Sequence, residues 1–426
     1  MPRIRWSGPT DDPAALFGWQ LPSLVLATLF LNFFFWFAPA DHFWFSGSPT
    51  VFVASLGTLT ALVLVLFFLG PAFAAHETRR SLFQLAEASF GVVPALGFRI
   101  CCAVLCVLWI AGVSGTLTFK ILGFLLQRSF SVVESGLVAG GLMLFLFATG
   151  LQDMRTSAKL AFFTNKLGIA LLIAAALRVR SYLPGVWNHL GAMETAAGST
   201  WPPIAQPLMI IGPMALFAAD FGCYSRTRRN VALIGVFGLA VPMTVALFAV
   251  SLIQRAAYRW RSDLGGLASI MVALWGGDSR WYQPQWICLA LITVFGSARF
   301  GVRMWRAALA PVADNKRLRW AVFASTLLVG AVVSASQSPV FFGRSELAAR
   351  FAICAAAVLS ADYVARRWRA QQIRTVDWVS LVSFLTGWAA GYFLTFRPGA
   401  SILIPYAASF VLCLIGRTVQ RGMESG

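Results

Sequence analysis

Side chains that could do chemistry are sparse in this sequence, and most of them stand inside or beside apolar runs. Three histidines, His42, His76 and His189, are too few and too scattered for a metal site or a histidine-based catalytic pair. Asp41 and His42 put a carboxylate beside an imidazole, but no nucleophile–base spacing and no phosphate loop accompanies them. Seven cysteines, Cys101, Cys102, Cys106, Cys223, Cys288, Cys354 and Cys413, lack paired CxxC spacing and read as small buried hydrophobes. What remains is fixed charge within hydrophobic segments. Lys120, Asp220 and Arg299 must pair, titrate, reach an interface or meet a charged group on a ligand. Lys120 follows Ser114, Thr116 and Thr118 near the end of its run, and its long stem favours snorkelling outward.

The elements that hold these residues are set by composition. Of 426 residues, 58% are hydrophobic and 12% charged, and the mean hydropathy is +0.74. That excludes an ordinary soluble domain. Apolar runs of roughly 20 residues recur along the whole length, each long enough to cross a hydrocarbon core as a helix with its backbone groups satisfied internally. The pattern predicts an all-α membrane protein of about twelve spans, near 17–40, 49–75, 93–126, 131–150, 159–178, 203–222, 231–254, 284–305, 319–337, 345–365, 377–395 and 400–416. The apolar stretch 265–277 is too short to span and suits a re-entrant helix. The first run is too long, and wrongly flanked, for a cleavable signal, so the amino terminus is expected to be retained.

A net charge of +18 would suggest nucleic acid in a soluble chain, but here the basic residues fall between the apolar runs. Alternate connecting segments hold nineteen Lys and Arg residues against nine in the others. The bias predicts both termini in the cytoplasm of an inner, plasma membrane protein, and attraction to anionic lipid headgroups accounts for the charge without nucleic acid. Trp19, Trp281, Trp320 and Trp378 lie near span ends, as in an interfacial aromatic belt.

An even number of spans with both termini inside is compatible with two inverted five-helix repeats followed by a helix pair. On that reading a short tail covers 1–16, the first repeat 17–182, the second repeat 203–365, the pair 377–416 and a second tail 417–426. The first and sixth helices are then expected to be broken near the membrane centre. Pro22 and Pro39 bound the first, and Gly212-Pro213 lies inside the sixth, where a proline frees backbone groups for a ligand or simply kinks the helix.

Several stretches, in order, resemble the nucleobase–cation symporter family of cytosine permeases and hydantoin transporters, part of the APC superfamily with the LeuT-like fold. They are Ser89-Phe90-Gly91-Val92, Leu108-Trp109-Ile110-Ala111-Gly112-Val113, Ala219-Asp220-Phe221-Gly222-Cys223-Tyr224, Ala361-Asp362-Tyr363 with Arg366 and Arg367, and Val376-Asp377-Trp378. The resemblance implies a permease working by alternating access, with a substrate pocket at mid-membrane between helices 1, 3, 6 and 8. It places Trp109 where a tryptophan stacks on a planar base. One turn earlier, Cys106 replaces a glutamine and cannot supply paired donor and acceptor contacts. Asn32 and Phe35 occupy the centre of helix 1, and Ile211 with Gly212 the matching part of helix 6. On helix 8, Ser297 and Arg299 stand in the stretch that reads substrate and sodium in the family.

An arginine at a cation site is unfavourable, since two unit charges about 4 Å apart repel by roughly 4 kcal/mol at an effective dielectric of about 20. Sodium coupling at the usual site is therefore not expected. Arg299 instead substitutes for the ion, pairs with an anionic group of the substrate, or reaches the interface as Arg303 and Arg306 are expected to do. Asp220, Pro213 and Arg226 are assigned to gating and structure. Arg226 is the nearest substitute for the arginine that the family shows where Cys223 stands.

Two functions follow. The first is a symporter-like or uncoupled carrier of a small planar heterocycle, with a proton left open as coupling ion. The alternative is a transporter fold turned into a membrane-embedded enzyme or sensor. Neither needs a metal or cofactor. The expected partners are a small-molecule substrate and membrane lipid, with the oligomeric state open.

Overall fold

The computed structural model describes residues 16–30, 49–116, 154–188, 205–260, 340–366, 375–393 and 400–425, with parts of 131–144 and 301–309 and the single residues 324 and 328. Asn32, Phe35, Asp41, His42, Lys120, the stretch 265–277, Ser297 and Arg299 lie outside the described residues, as does the Trp109 side chain. Apart from span ends, the backbone is helical wherever an expected span falls on described residues. Among those residues, Phe17 and Ser225 form an isolated β-bridge. Among the described residues, four helices are long and apolar enough to cross a membrane: Phe52–Thr78, Ser157–Leu177, Arg228–Ile253 and Leu403–Met423. The chain is a multi-pass membrane protein.

Helix α1 is Gln20–Phe30 and α2 runs from Pro49 to Thr78. Pro22 sits in the first turn of α1, where the missing N–H costs no internal bond. A short helix α3, Leu82–Phe90, precedes α4, Val92–Thr116. Then come α5, Met154–Arg178, a single turn α6, Leu183–Asn188, and α7, Ala205–Ala218, which tightens into a 3-10 turn over Ala219–Tyr224. Helix α8 runs from Arg228 to Trp260, α9 is Val340–Arg366, α10 is Trp378–Phe393 and α11 is Ala400–Ser425.

Local sequence explains the boundaries between α2, α3 and α4. Arg79 closes α2 in the left-handed region at φ 56°. This costs a residue with a Cβ about 1–2 kcal/mol, which hydrogen bonds from its guanidinium offset. Ser81 opens α3 with a capping box: its hydroxyl accepts from Gln84 N–H while Gln84 Oε1 accepts from Ser81 N–H at 2.9 Å. Gly91, at φ 88° and ψ 171°, then separates α3 from α4 in a region that only glycine enters readily. Helix α4 exposes Val93, Leu96, Ile100 and Val104 on one stripe and buries Ala95, Phe98, Cys102 and Cys106 on the other, the pattern of a helix set between lipid and neighbours.

The two helices α2 and α8 share an irregularity at matching places. Each contains a π-helical segment, Val63–Leu69 in α2 and Gly235–Ala240 in α8. In each, a proline, Pro71 or Pro242, is the second residue after that segment. The proline ring cannot donate and crowds the carbonyl four residues back, and a widened turn there relieves the clash. The two π segments touch, with Gly235 against Phe68 and Leu64. Helix α7 packs on the π segment of α2, where Gly212 meets the Phe67 ring, and α1 packs on that of α8, where Gly238 meets Ser23 and Leu26. Small residues let these backbones approach closely, which is what drives helix association where lipid is as apolar as the side chains. Correspondence of α1–α2 with α7–α8 is the mark of a repeat.

Two segments differ from the sequence expectation. Helix α7 is unbroken across Gly212 and Pro213, and the departure from α geometry comes later, at Ala219. Phe67 packs on Gly212 and supports the helix there. The tail expected from Arg417 instead continues α11 to Ser425, because Arg417 is held inside the protein and bonds Gln420 one turn on.

Candidate functional site

The expected pocket positions that are described lie in the core. Cys106 in α4 is 1% exposed and Ile211 in α7 is fully buried, and both belong to the same apolar cluster as Phe67 and Phe68. Gly212 is buried under Phe67, while Pro213 is partly exposed. Trp109 lies one turn beyond Cys106 on α4. Cys106, Ile211 and Phe67 offer shape and polarizable surface rather than a hydrogen-bonding edge. Among the described residues, no group of three or more His, Cys, Asp or Glu is placed to hold a metal ion.

Most of the described polar chemistry collects at the end of the bundle that carries residues 16–17 and 417–425. The stretch 219–226 forms a plate there. Phe17 N–H donates to Tyr224 O at 2.8 Å, Arg226 N–H returns a bond to Phe17 O at 3.1 Å, and Arg226 Nε donates to Leu16 O at 3.0 Å. From α2, Arg79 donates to the Cys223, Ser225 and Arg226 carbonyls, and His76 Nδ1 lies 3.0 Å from Ser225 O. Asp220 Oδ1 accepts the Leu82 N–H at 2.8 Å, so a side chain of the plate caps the start of α3. Gly222 lies so close to the Ala72 carbonyl that no Cβ fits between them.

Arg303 reaches this plate from the helical piece at 301–305. Its guanidinium carbon lies 5.5 Å from the Phe221 ring centroid and 5.1 Å from that of Tyr224. It also hydrogen-bonds the Tyr224 side chain and is attracted by Asp220. Each such ring contact contributes about 0.5–2 kcal/mol. Arg303, expected at the interface, lies across aromatic rings at that end of the bundle, a pairing between segments that no local spacing reveals. Arg226, assigned to gating by the resemblance, is exposed and binds backbone.

A second cluster ties the last two helices to the rest. Arg417, 3% exposed, donates from Nε to Asp362 Oδ1 at 2.8 Å and from Nη1 to Asp377 Oδ2 at 2.9 Å. Its Nη2 bonds Ser380 Oγ at 2.6 Å, and Ser89 Oγ donates to Asp362 Oδ2 at 2.8 Å. Asp377 also caps α10 through Ser380 N–H, and its own N–H bonds Phe90 O at 2.8 Å. Next to Asp362, Tyr363 donates to Glu77, which also pairs with Arg228. Arg99, 5% exposed, pairs with Glu87 at 3.4 Å and lies over the Phe83 ring, fastening α3 to α4. Asp362, Tyr363 and Asp377 were visible in the sequence as parts of a family pattern; Arg417, their partner, was counted only among the basic residues of the termini.

The bundle, in which α1–α2 correspond to α7–α8, has the inverted-repeat, LeuT-like fold, as its likeness to solved structures shows. Among solved structures the chain is similar to Mhp1, a nucleobase-cation-symport-1 family transporter, in a closed conformation with bromovinylhydantoin bound, at TM-score 0.70 and 14% identity over 95% of this chain and 94% of that one. It is similar to the inward-facing conformation of Mhp1 at TM-score 0.68 and 16% identity, covering 97% and 94%. A substrate-bound, outward-open sodium-coupled sialic acid symporter matches at TM-score 0.62 and 10% identity, covering 95% and 90%. No family model matches the chain, and no curated protein matches it in sequence.

Proposed function

We propose that the chain is a secondary transporter that carries a small planar, nucleobase-like heterocycle by alternating access, without sodium at the family's usual site. The observation that carries this reading is the likeness, over nearly the whole chain, to Mhp1 in a structure with a hydantoin bound. The substrate is held by shape: Trp109 stacks on its face, Cys106, Phe35, Ile211 and Gly212 line its rim, and Asn32, Ser297 and Arg299 supply what polar contact there is. Burial of Cys106 and Ile211 in one apolar cluster supports a pocket that takes an aromatic ring with few hydrogen bonds. Arg299 takes the place of a sodium ion or meets an anionic group on the substrate. The end that carries the 219–226 plate and Arg417 faces the cytoplasm of the inner membrane, because the basic connecting segments lie on that side.

The experiment is uptake of labelled nucleobases and hydantoins into proteoliposomes, with sodium and proton gradients imposed separately. Saturable uptake that is indifferent to sodium is the expected result. Uptake that requires sodium would overturn the assignment of Arg299, and chemical turnover of the compound by detergent-purified protein would favour the enzyme reading.

A further inference from the structure

We infer that the outer face of α5 binds an anionic phospholipid, with the phosphate held between Lys159 and Lys166 and the acyl chains laid along the apolar residues beyond them. Burial divides α5 cleanly. Ala158, Ala161, Asn165, Leu172 and Ala175 are buried against the bundle, while Phe162, Phe163, Ile169, Ile173 and Leu177 are exposed on the opposite face, the pattern of a helix with one side in lipid. Lys159 and Lys166 are exposed as well, and at 3.6 residues per turn they fall within about 20° of each other on that outer face. Charged side chains inside a span almost always face the protein interior, so two of one sign on the lipid side call for an anion. The helix holds no Asp or Glu, and among the described residues no carboxylate pairs with either lysine.

The depth of the pair fits a headgroup. Helix α8 starts beside the plate at Arg228, and α6, which follows α5, packs on the later part of α8, so α5 enters from the plate end. Asn165 Nδ2 donates to Leu24 O at 2.9 Å, which puts Lys166 level with the second turn of α1, a short way in from Phe17. Its ammonium lies 4.0 Å from the centroid of the Phe162 ring, one turn earlier. The side chain therefore snorkels toward the plate end and toward Lys159, which is about 10 Å away along the axis. A phosphate between the two ammonium groups satisfies both, and acyl chains below it run over Ile169, Ile173 and Leu177. Free phosphate gains nothing from that apolar strip, and a zwitterionic headgroup brings a cation of its own, so the face selects a lipid of net negative charge.

The test is native mass spectrometry of the full chain, purified in detergent and titrated with phosphatidylglycerol or phosphatidylcholine. The wild-type chain is expected to bind phosphatidylglycerol the more tightly. Lys166→Gln is expected to weaken that lipid about fivefold, the share of one lysine beside an anionic headgroup, with phosphatidylcholine unaffected. Lys159→Gln is expected to do the same, and Lys166→Arg, which keeps the charge, to stay near wild type. Arg229→Gln, which removes an equal charge from an exposed position at the same end of the bundle, is expected to change nothing. No lipid preference in the wild type, an unchanged affinity in both lysine-to-glutamine variants, or an equal loss in Arg229→Gln from the general field of the protein would overturn the site. A wild-type dimer that Lys166→Gln dissociates, with lipid affinity unchanged, would give this face to a second copy of the chain instead.

Discussion

Arg417 shows how a single residue can tie the last two helices of a helical membrane protein to the rest. Its guanidinium satisfies two buried carboxylates, Asp362 and Asp377, which are 55 and 40 residues away in sequence. Breaking a buried pair by removing one partner leaves an uncompensated charge, so Arg417→Ala is expected to destabilise the protein by about 3–5 kcal/mol. The pair between Arg228 and Glu77 is a contrast, since the Arg228 side chain is 52% exposed. Arg228→Ala is expected to cost about 1 kcal/mol or less. Chemical denaturation in detergent micelles, followed by circular dichroism, separates the two; equal losses would mean that burial is not what gives Arg417 its weight. Neither pairing was legible in the sequence. Periodicity reports which face of a helix is apolar, whereas the choice of partner between distant helices is made by tertiary packing.

Helices carry the next level of organisation, and their irregularities are where the repeat is written. The apolar segments Val63–Leu69 and Gly235–Ala240 contain nothing that marks a π turn, and only the proline two residues later hints at one. The expected break at Gly212-Pro213 is absent because a proline is accommodated when a neighbour, here Phe67, supports the helix at that point. Close approach at these elements makes glycine substitutions informative. Gly222→Ala drives a methyl into the Ala72 backbone and is expected to destabilise by about 1–3 kcal/mol. Gly57→Ala, in α2 with nothing within 4 Å of the added Cβ, is expected to be neutral or to stabilise by up to about 1 kcal/mol. Thermal melting of both variants in one detergent decides it, and a Gly57→Ala variant that melts as low as Gly222→Ala would refute the packing argument.

For the molecule as a whole, hydropathy and charge distribution made the all-α membrane bundle readable, and the ordered motifs made the inverted repeat readable. Those signals survive divergence because lipid constrains every span in the same way. The proposed binding site was less legible. Cys106 and Ile211 in the core, and Arg299 by its charge, depart from the contacts that the resemblance implies, and such departures remove information about the ligand rather than adding it. The proposed pocket is expected to select by ring size, so Trp109→Ala should weaken heterocycle binding about tenfold or more, in keeping with about 1–3 kcal/mol for stacking of a base on an aromatic side chain. Binding unchanged in that variant, by isothermal titration, would move the site elsewhere. The most direct test of the carrier assignment is solute counterflow: proteoliposomes preloaded with unlabelled nucleobase or hydantoin, diluted into trace label in sodium-free buffer. Transient accumulation of label is the result expected of a carrier that works without sodium; no exchange of any planar heterocycle by folded, reconstituted protein would contradict it.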